Sequence, residues 1–240
     1  MDPSTHDAES ARELHAATMP LTYEPIRAFL EQRRADEQWG ADEDRVDPHD
    51  WRRARRDRLA LPAFFAAIGL ILGLPIVGWC LAPFTDPLST WDIVCVSLLA
   101  GYLLLPLIAA TRGARFLSRA REVAERPYGT GARYLLARDW ADDDFLILFP
   151  TSGDVPPAGV VELQLAAATA IPASGPAWLS GTMDAQGRPA DGALIVPKLS
   201  SKPVWPAEPF EVLDEEDLRE LVTGRDEDMM EQITRLSRTT

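Results

Sequence analysis

The apolar positions of this chain fall into distinct regimes. Residues 59–83 and 91–111 are almost free of charge, with Asp92 the single ionisable acid or base among them. At 1.5 Å per residue each run reaches across a ~30 Å hydrocarbon core. The pattern predicts two spanning helices, about 59–83 and 91–111, joined by the short loop 84–90. Pro75 predicts a kink in the first helix. Trp51, Trp79 and Trp91 fall near the ends of the runs, where interfacial aromatics belong. Runs of this kind argue against a soluble monomer. No other segment is long and apolar enough to make the chain a multi-pass transporter.

The pattern changes after Pro127 and Gly129-Thr130-Gly131, which end a helical extension of the second run at about Arg126. Six short apolar or alternating runs follow, at 134–137, 145–149, 160–165, 178–183, 193–196 and 210–213. Gly, Pro and Asp clusters separate them. This spacing predicts a small antiparallel β-barrel or sandwich over 133–213. Trp140, Phe145, Phe149, Trp178 and Trp205 are its expected apolar anchors. Short helices are expected on either side. One covers 22–38, with Thr22 as N-cap and a narrow stripe of Ile26, Phe29 and Leu30, and docks weakly. Another starts after the cap Asp214, with Leu218, Leu221 and Val222 on its apolar side. A further helix is expected at 226–237.

Charge sharpens this layout. The formal net charge is -13. Residues 51–60 hold 5 Arg and one Asp, and residues 112–138 hold 7 Arg and 2 Glu. These two basic collars flank the apolar pair, and acidic arms lie beyond them. Anionic lipid headgroups are the expected partner of the collars. The positive-inside rule then places both termini in the cytoplasm, loop 84–90 outside, and the chain in the cell membrane. Nucleic acid is excluded as a partner, because no basic face exists apart from the collars. Lys198 and Lys202 are the only lysines.

The inventory of reactive side chains is thin. His6, His15 and His49 are the only histidines, and Cys80 and Cys95 the only cysteines. The β-rich region has neither, so no Ser-His-Asp, Cys-His or ordinary zinc site arises within it. Walker A, GxGxxG and HExxH motifs are missing. No cofactor is implied. Ser200 or Ser201 with Lys198 or Lys202 is the remaining nucleophile pair, and a solvated turn is the simpler account of it. Asp142–Asp144 read as a solvated turn, and Asp214–Asp217 as the acidic start of a helix.

Three features remain as candidate sites. Gly69-x-x-x-Gly73 permits close helix packing, against the second helix or a second copy of the chain. Cys80 and Cys95 lie at similar depth beside the loop and either fill space or pair as a disulfide. Trp205, Pro206 and Pro209 form either a partner-binding edge or a proline-blocked strand that packs Trp205 onto the barrel.

The expected fold is thus a membrane α+β protein. It has an acidic arm (1–50), a transmembrane hairpin with basic flanks (51–126), a cytoplasmic β-rich domain (133–213) and a helical tail (214–240). In plan it resembles bacterial membrane-protein groups such as the NfeD-like proteins, a resemblance that carries no motif or site residue. The expected function is that of a two-pass integral membrane protein whose acidic β-domain is an interaction or scaffold module for a protein partner, not an enzyme. The alternative is a subunit of an oligomeric channel or transport complex, formed by several copies.

Overall fold

The computed structural model describes residues 19–36, 39, 47–81, 90–127, 129–139, 141, 143–151, 155–165, 170–184 and 186–223. Within the two long helices, side chains are described for 51–60, 62–65, 67–68, 105–106 and 108–124. The elements run α1 (Tyr23–Asp36), α2 (Trp51–Leu81), α3 (Thr90–Ala124), β1 (Thr130–Arg138), β2 (Asp144–Pro150), β3 (Gly159–Glu162), β4 (Ser174–Gly181), β5 (Ile195–Leu199), β6 (Lys202–Pro203) and α4 (Glu215–Thr223). The chain divides into a sheet unit, Met1–His49 with Glu122–Thr240, and a helical unit, Asp50–Arg121.

Among the described residues, no helix is long and apolar enough to cross a membrane. This overturns the transmembrane hairpin. The integral membrane function, the channel alternative, the cell-membrane location and the inside–outside topology go with it. The fold is instead α+β, built on a curled antiparallel sheet. The physical reason lies in how charge and length combine. α2 opens in a run of five arginines and α3 closes in four. Neither helix is therefore apolar over its whole length, although each holds a long uncharged stretch.

In the helical unit, Asp50 Oδ1 caps α2 by accepting the N–H groups of Arg52 (2.9 Å) and Arg53 (3.3 Å). Ala54 and Leu117 are fully buried, as is Ala120. Arg58 lies over the Phe116 ring at 4.9 Å, and its stem runs beside Gly113. A Cβ at Gly113 would come within 3.3 Å of that side chain, so the glycine makes room for the arginine.

The sheet unit is organised by strand periodicity. The sheet order is β3-β2-β1-β4-β5-β6, with every pair antiparallel. On β1, Tyr134 and Leu136 face the inside of the curl, with Leu146, Leu148, Val161, Leu179 and Phe210. Leu135 and Ala137 face outwards, with Ile147, Phe149 and Val160. Two helices cover that outer face. α1 contributes Tyr23, Ile26 and Leu30, and α4 contributes Leu218, Leu221 and Val222. The first helix is therefore an integral part of a core, not the weakly docked helix its narrow stripe suggests. Tyr23 meets Phe149 edge to face at 5.2 Å. Thr22 does not cap α1 through its side chain; its carbonyl accepts from Ile26 N–H at 3.2 Å. Asp214 Oδ1 does cap α4, accepting from Glu216 and Asp217 N–H at 2.9 and 3.0 Å. The helix expected at 226–237 lies outside the described residues.

The two edges of the sheet are stitched together. β3 and its continuation meet the chain beyond β6 at Val160↔Glu211 and Leu163↔Pro206. Backbone bonds join Gln164 N–H to the Trp205 carbonyl (2.9 Å) and Ala207 N–H to the Glu162 carbonyl (2.8 Å). Residues 210–213 thus serve as a stitch, not as a sixth long strand. The last strand is the short β6.

Candidate interaction surface

The outer face of β4 and β5 differs from that of β1 and β2, which helices cover. Along β4, Ala177 and Leu179 point into the curl, so Trp178 points out, where it is 50% exposed. Its role as a core anchor is thereby corrected. Cross-strand register places Trp178 between Gly131 of β1 and Lys198 of β5, with Pro203 of β6 next in the row. The indole lies against the backbone of Gly131. A Cβ there would stand 3.7 Å from Trp178 Cζ3 and 3.2 Å from the Thr151 methyl. Pro176, also exposed, continues the face opposite Arg133.

Both lysines of the chain belong to this ribbon. Lys198 is largely buried, and its Nζ donates to the Arg126 carbonyl at 3.0 Å, just past the end of α3. A cation there also suits the negative end of the helix. Lys202 is exposed at the tip. Ser200 and Ser201 turn the chain between the two, with φ of 49° and 71°. Two successive left-handed residues make the tight hairpin turn that suits strand twist, usually supplied by Asn-Gly. This conformation costs a non-glycine residue energy, and the ladder of β5 and β6 imposes it. Neither lysine is held as a base beside a serine: one is engaged with a carbonyl and the other is in solvent.

The chain before α2 is clamped to the same end of the sheet. His49 Nδ1 lies 2.7 Å from the Pro203 carbonyl. A carbonyl only accepts, so the ring donates from Nδ1. Trp205 Nε1 donates to the His49 carbonyl at 3.0 Å. Trp205 and Pro206 are buried, with only Pro209 of that trio exposed. The Trp205 ring is spent on packing and on His49.

Acidic clusters are absorbed by structure. Asp144 pairs with Arg138 inside the fold. Asp139 Oδ1 accepts from Ala141 and Asp143 N–H, which closes the β1–β2 turn. Asp184 Oδ1 does likewise for Gln186 and Arg188, and the Arg188 N–H holds its carboxyl below the ordinary value. Among the described residues no group of three His, Cys, Asp or Glu could hold a metal ion. Gly69, Gly73 and Cys80 belong to α2, and Cys95 to α3. Their surroundings lie outside the described side chains, as do Trp140 and Asp142.

Sequence reasoning missed Trp178 as a surface residue, although the signal was present. In Ala177-Trp178-Leu179 the two aliphatic positions share one face, which leaves the indole on the other. The chain matches no protein-family model, no curated protein and no solved structure at a significant level.

Proposed function

We propose that the sheet unit is a binding module that receives an acidic segment of a partner protein, one carrying an apolar side chain, on the Trp178 face. The observation that carries this reading is the position of Trp178. It is a half-exposed indole seated on a glycine, in register with Lys198, on the ribbon that holds both lysines of a strongly acidic chain. Aromatic anchors, tryptophan above all, concentrate binding energy in protein interfaces. Within the sheet unit, the exposed Lys202 favours an acidic ligand on this face.

Panning a displayed library of short acidic peptides, each with one aliphatic or aromatic residue, against the full chain tests the reading. Peptides should be enriched, and they should bind Trp178→Ala at least 10-fold more weakly while its melting is unchanged. Lys202→Glu should also weaken them. Equal binding by the wild-type chain and Trp178→Ala would reject the proposal, as would no enrichment.

A further inference from the structure

The helical unit carries a separate surface. On α3, Leu105, Ile108, Arg112, Arg115 and Arg119 follow one another at spacings of three and four, which places them on one helix face. All five are exposed, Leu105 at 68%. The stripe therefore changes chemistry along its length, from two bare aliphatic side chains to three bare guanidinium groups. α2 shows the same order of chemistry from its charged end. Arg52, Arg55 and Arg56 are exposed, and beyond them Phe64 and Phe65 are exposed at 58% and 43%. Leu105 with Ile108, and Phe64 with Phe65, are thus neighbouring bare apolar pairs, each accompanied along its helix by exposed arginines.

We infer that this stripe, with the Phe64–Phe65 pair, rests on an anionic lipid surface without crossing it. Two arguments select lipid over an acidic protein or a second copy of the chain. From Arg112 to Arg121 there are four arginines and no acid, so the same faces of two copies repel each other. The mixed chemistry of the stripe also suits a lipid surface: with α3 lying along the boundary, the Arg112, Arg115 and Arg119 guanidinium groups reach phosphate level on their apolar stems while Leu105 and Ile108 enter the first methylenes. The inference does not depend on the proposed role of the Trp178 face.

Flotation of the full chain with vesicles tests it. Vesicles of phosphatidylcholine with about a third phosphatidylglycerol should carry the protein, and pure phosphatidylcholine vesicles should carry far less. The triple variant Arg112→Gln, Arg115→Gln, Arg119→Gln should bind on the order of 100-fold more weakly, roughly fivefold for each arginine. The matching triple Lys variant should keep most of the binding. Leu105→Ser with Ile108→Ser should bind more weakly with helix content unchanged by circular dichroism. No preference for anionic vesicles, or full binding by the triple Gln variant, would overturn the inference. Self-association without lipid that is lost in Leu105→Ser would assign the stripe to a second copy instead, and would overturn it too.

Discussion

Arg138 Nε lies 2.8 Å from Asp144 Oδ1, and both side chains are almost sealed from solvent, at 6% and 0% exposure. They face each other across the register pair that closes the β1–β2 hairpin. Trp39 lies against the same arginine at 5.9 Å and against Arg33 at 5.1 Å. Arg33 in turn donates to the Arg138 carbonyl at 2.8 Å and to the Val222 carbonyl at 3.1 Å. Removing one partner strands the other charge in the interior. Arg138→Ala should cost about 3–5 kcal/mol by denaturant unfolding. Arg138→Met with Asp144→Leu should recover most of that loss, because the pair's attraction is largely offset by its desolvation. A double variant as unstable as the single one would contradict this account.

Tyr134 gives the fold an alkaline limit. Burial pushes its phenol up to about 12, with Tyr23 adding to the rise and Arg34 opposing it. The hydroxyl donates to the Pro172 carbonyl at 3.2 Å. Because the folded value is raised, the contribution is complete below about pH 10, where the unfolded phenol is still protonated. It is lost as pH climbs through 12, and the gap corresponds to about 3 kcal/mol. Melting temperature followed from pH 9 to 12 should fall in that window, and Tyr134→Phe should fall less. Identical profiles would remove Tyr134 as the cause.

Trp178 and Phe149 provide a contrast on one sheet. Phe149 is fully buried beneath Tyr23, so Phe149→Ala should cost about 3–5 kcal/mol. Trp178→Ala, at a half-exposed site, should cost about 1 kcal/mol or less. Chemical denaturation of both variants checks the ranking, and a loss of several kcal/mol at Trp178 would mean that its face is covered in the folded chain.

Gly159 begins β3 with φ of 150°, where side chains are strained. A Cβ there would run into the Glu211 carbonyl and the Phe210 ring. Gly159→Ala should therefore push the stitch at Val160↔Glu211 apart and cost upwards of about 2 kcal/mol. Faster hydrogen exchange at the Val160 and Glu211 amides should accompany the loss, and unaltered exchange would show that the backbone absorbs the methyl elsewhere.

The strands were legible because their signal is local. The runs at 134–137, 145–149, 160–165, 178–183 and 193–196 each overlap an observed strand. In β1 and β2 the unbroken apolar sequence reflects burial on both faces. The run 210–213 was misread because three prolines, at 203, 206 and 209, interrupt its approach. They block a regular ladder and leave backbone bonds at scattered residues, such as Val204 N–H to the Pro197 carbonyl and Glu211 N–H to the Val160 carbonyl. Nor could spacing reveal the clamp of Trp205 on His49, 156 positions away. The docking of α1 was under-read because Tyr23, which seals against Phe149, lies outside the stripe of Ile26, Phe29 and Leu30. The apolar runs of α2 and α3 were read for their length, their lack of charge and the Trp and Arg residues that flank them. The aliphatic-to-arginine stripe on α3 is marked by exposure as well as by periodicity.

The sheet unit draws on sequence from both sides of the helical unit, and this sets a timetable for synthesis. Arg33 finds its acceptor at Arg138 only 105 positions later, and its second at Val222 after 189. At about 5–20 residues per second, α1 leaves the ribosome roughly 5–20 s before that stretch of β1, and roughly 10–40 s before the end of α4. Throughout that wait the nascent chain presents Tyr23, Ile26 and Leu30 with no sheet to cover them. A helix that short gains little from its own hydrogen bonds, so it waits for β1 and β2 rather than guiding them. Early chaperone contact should therefore concentrate on this first stretch, and ease once the β1–β2 hairpin has emerged.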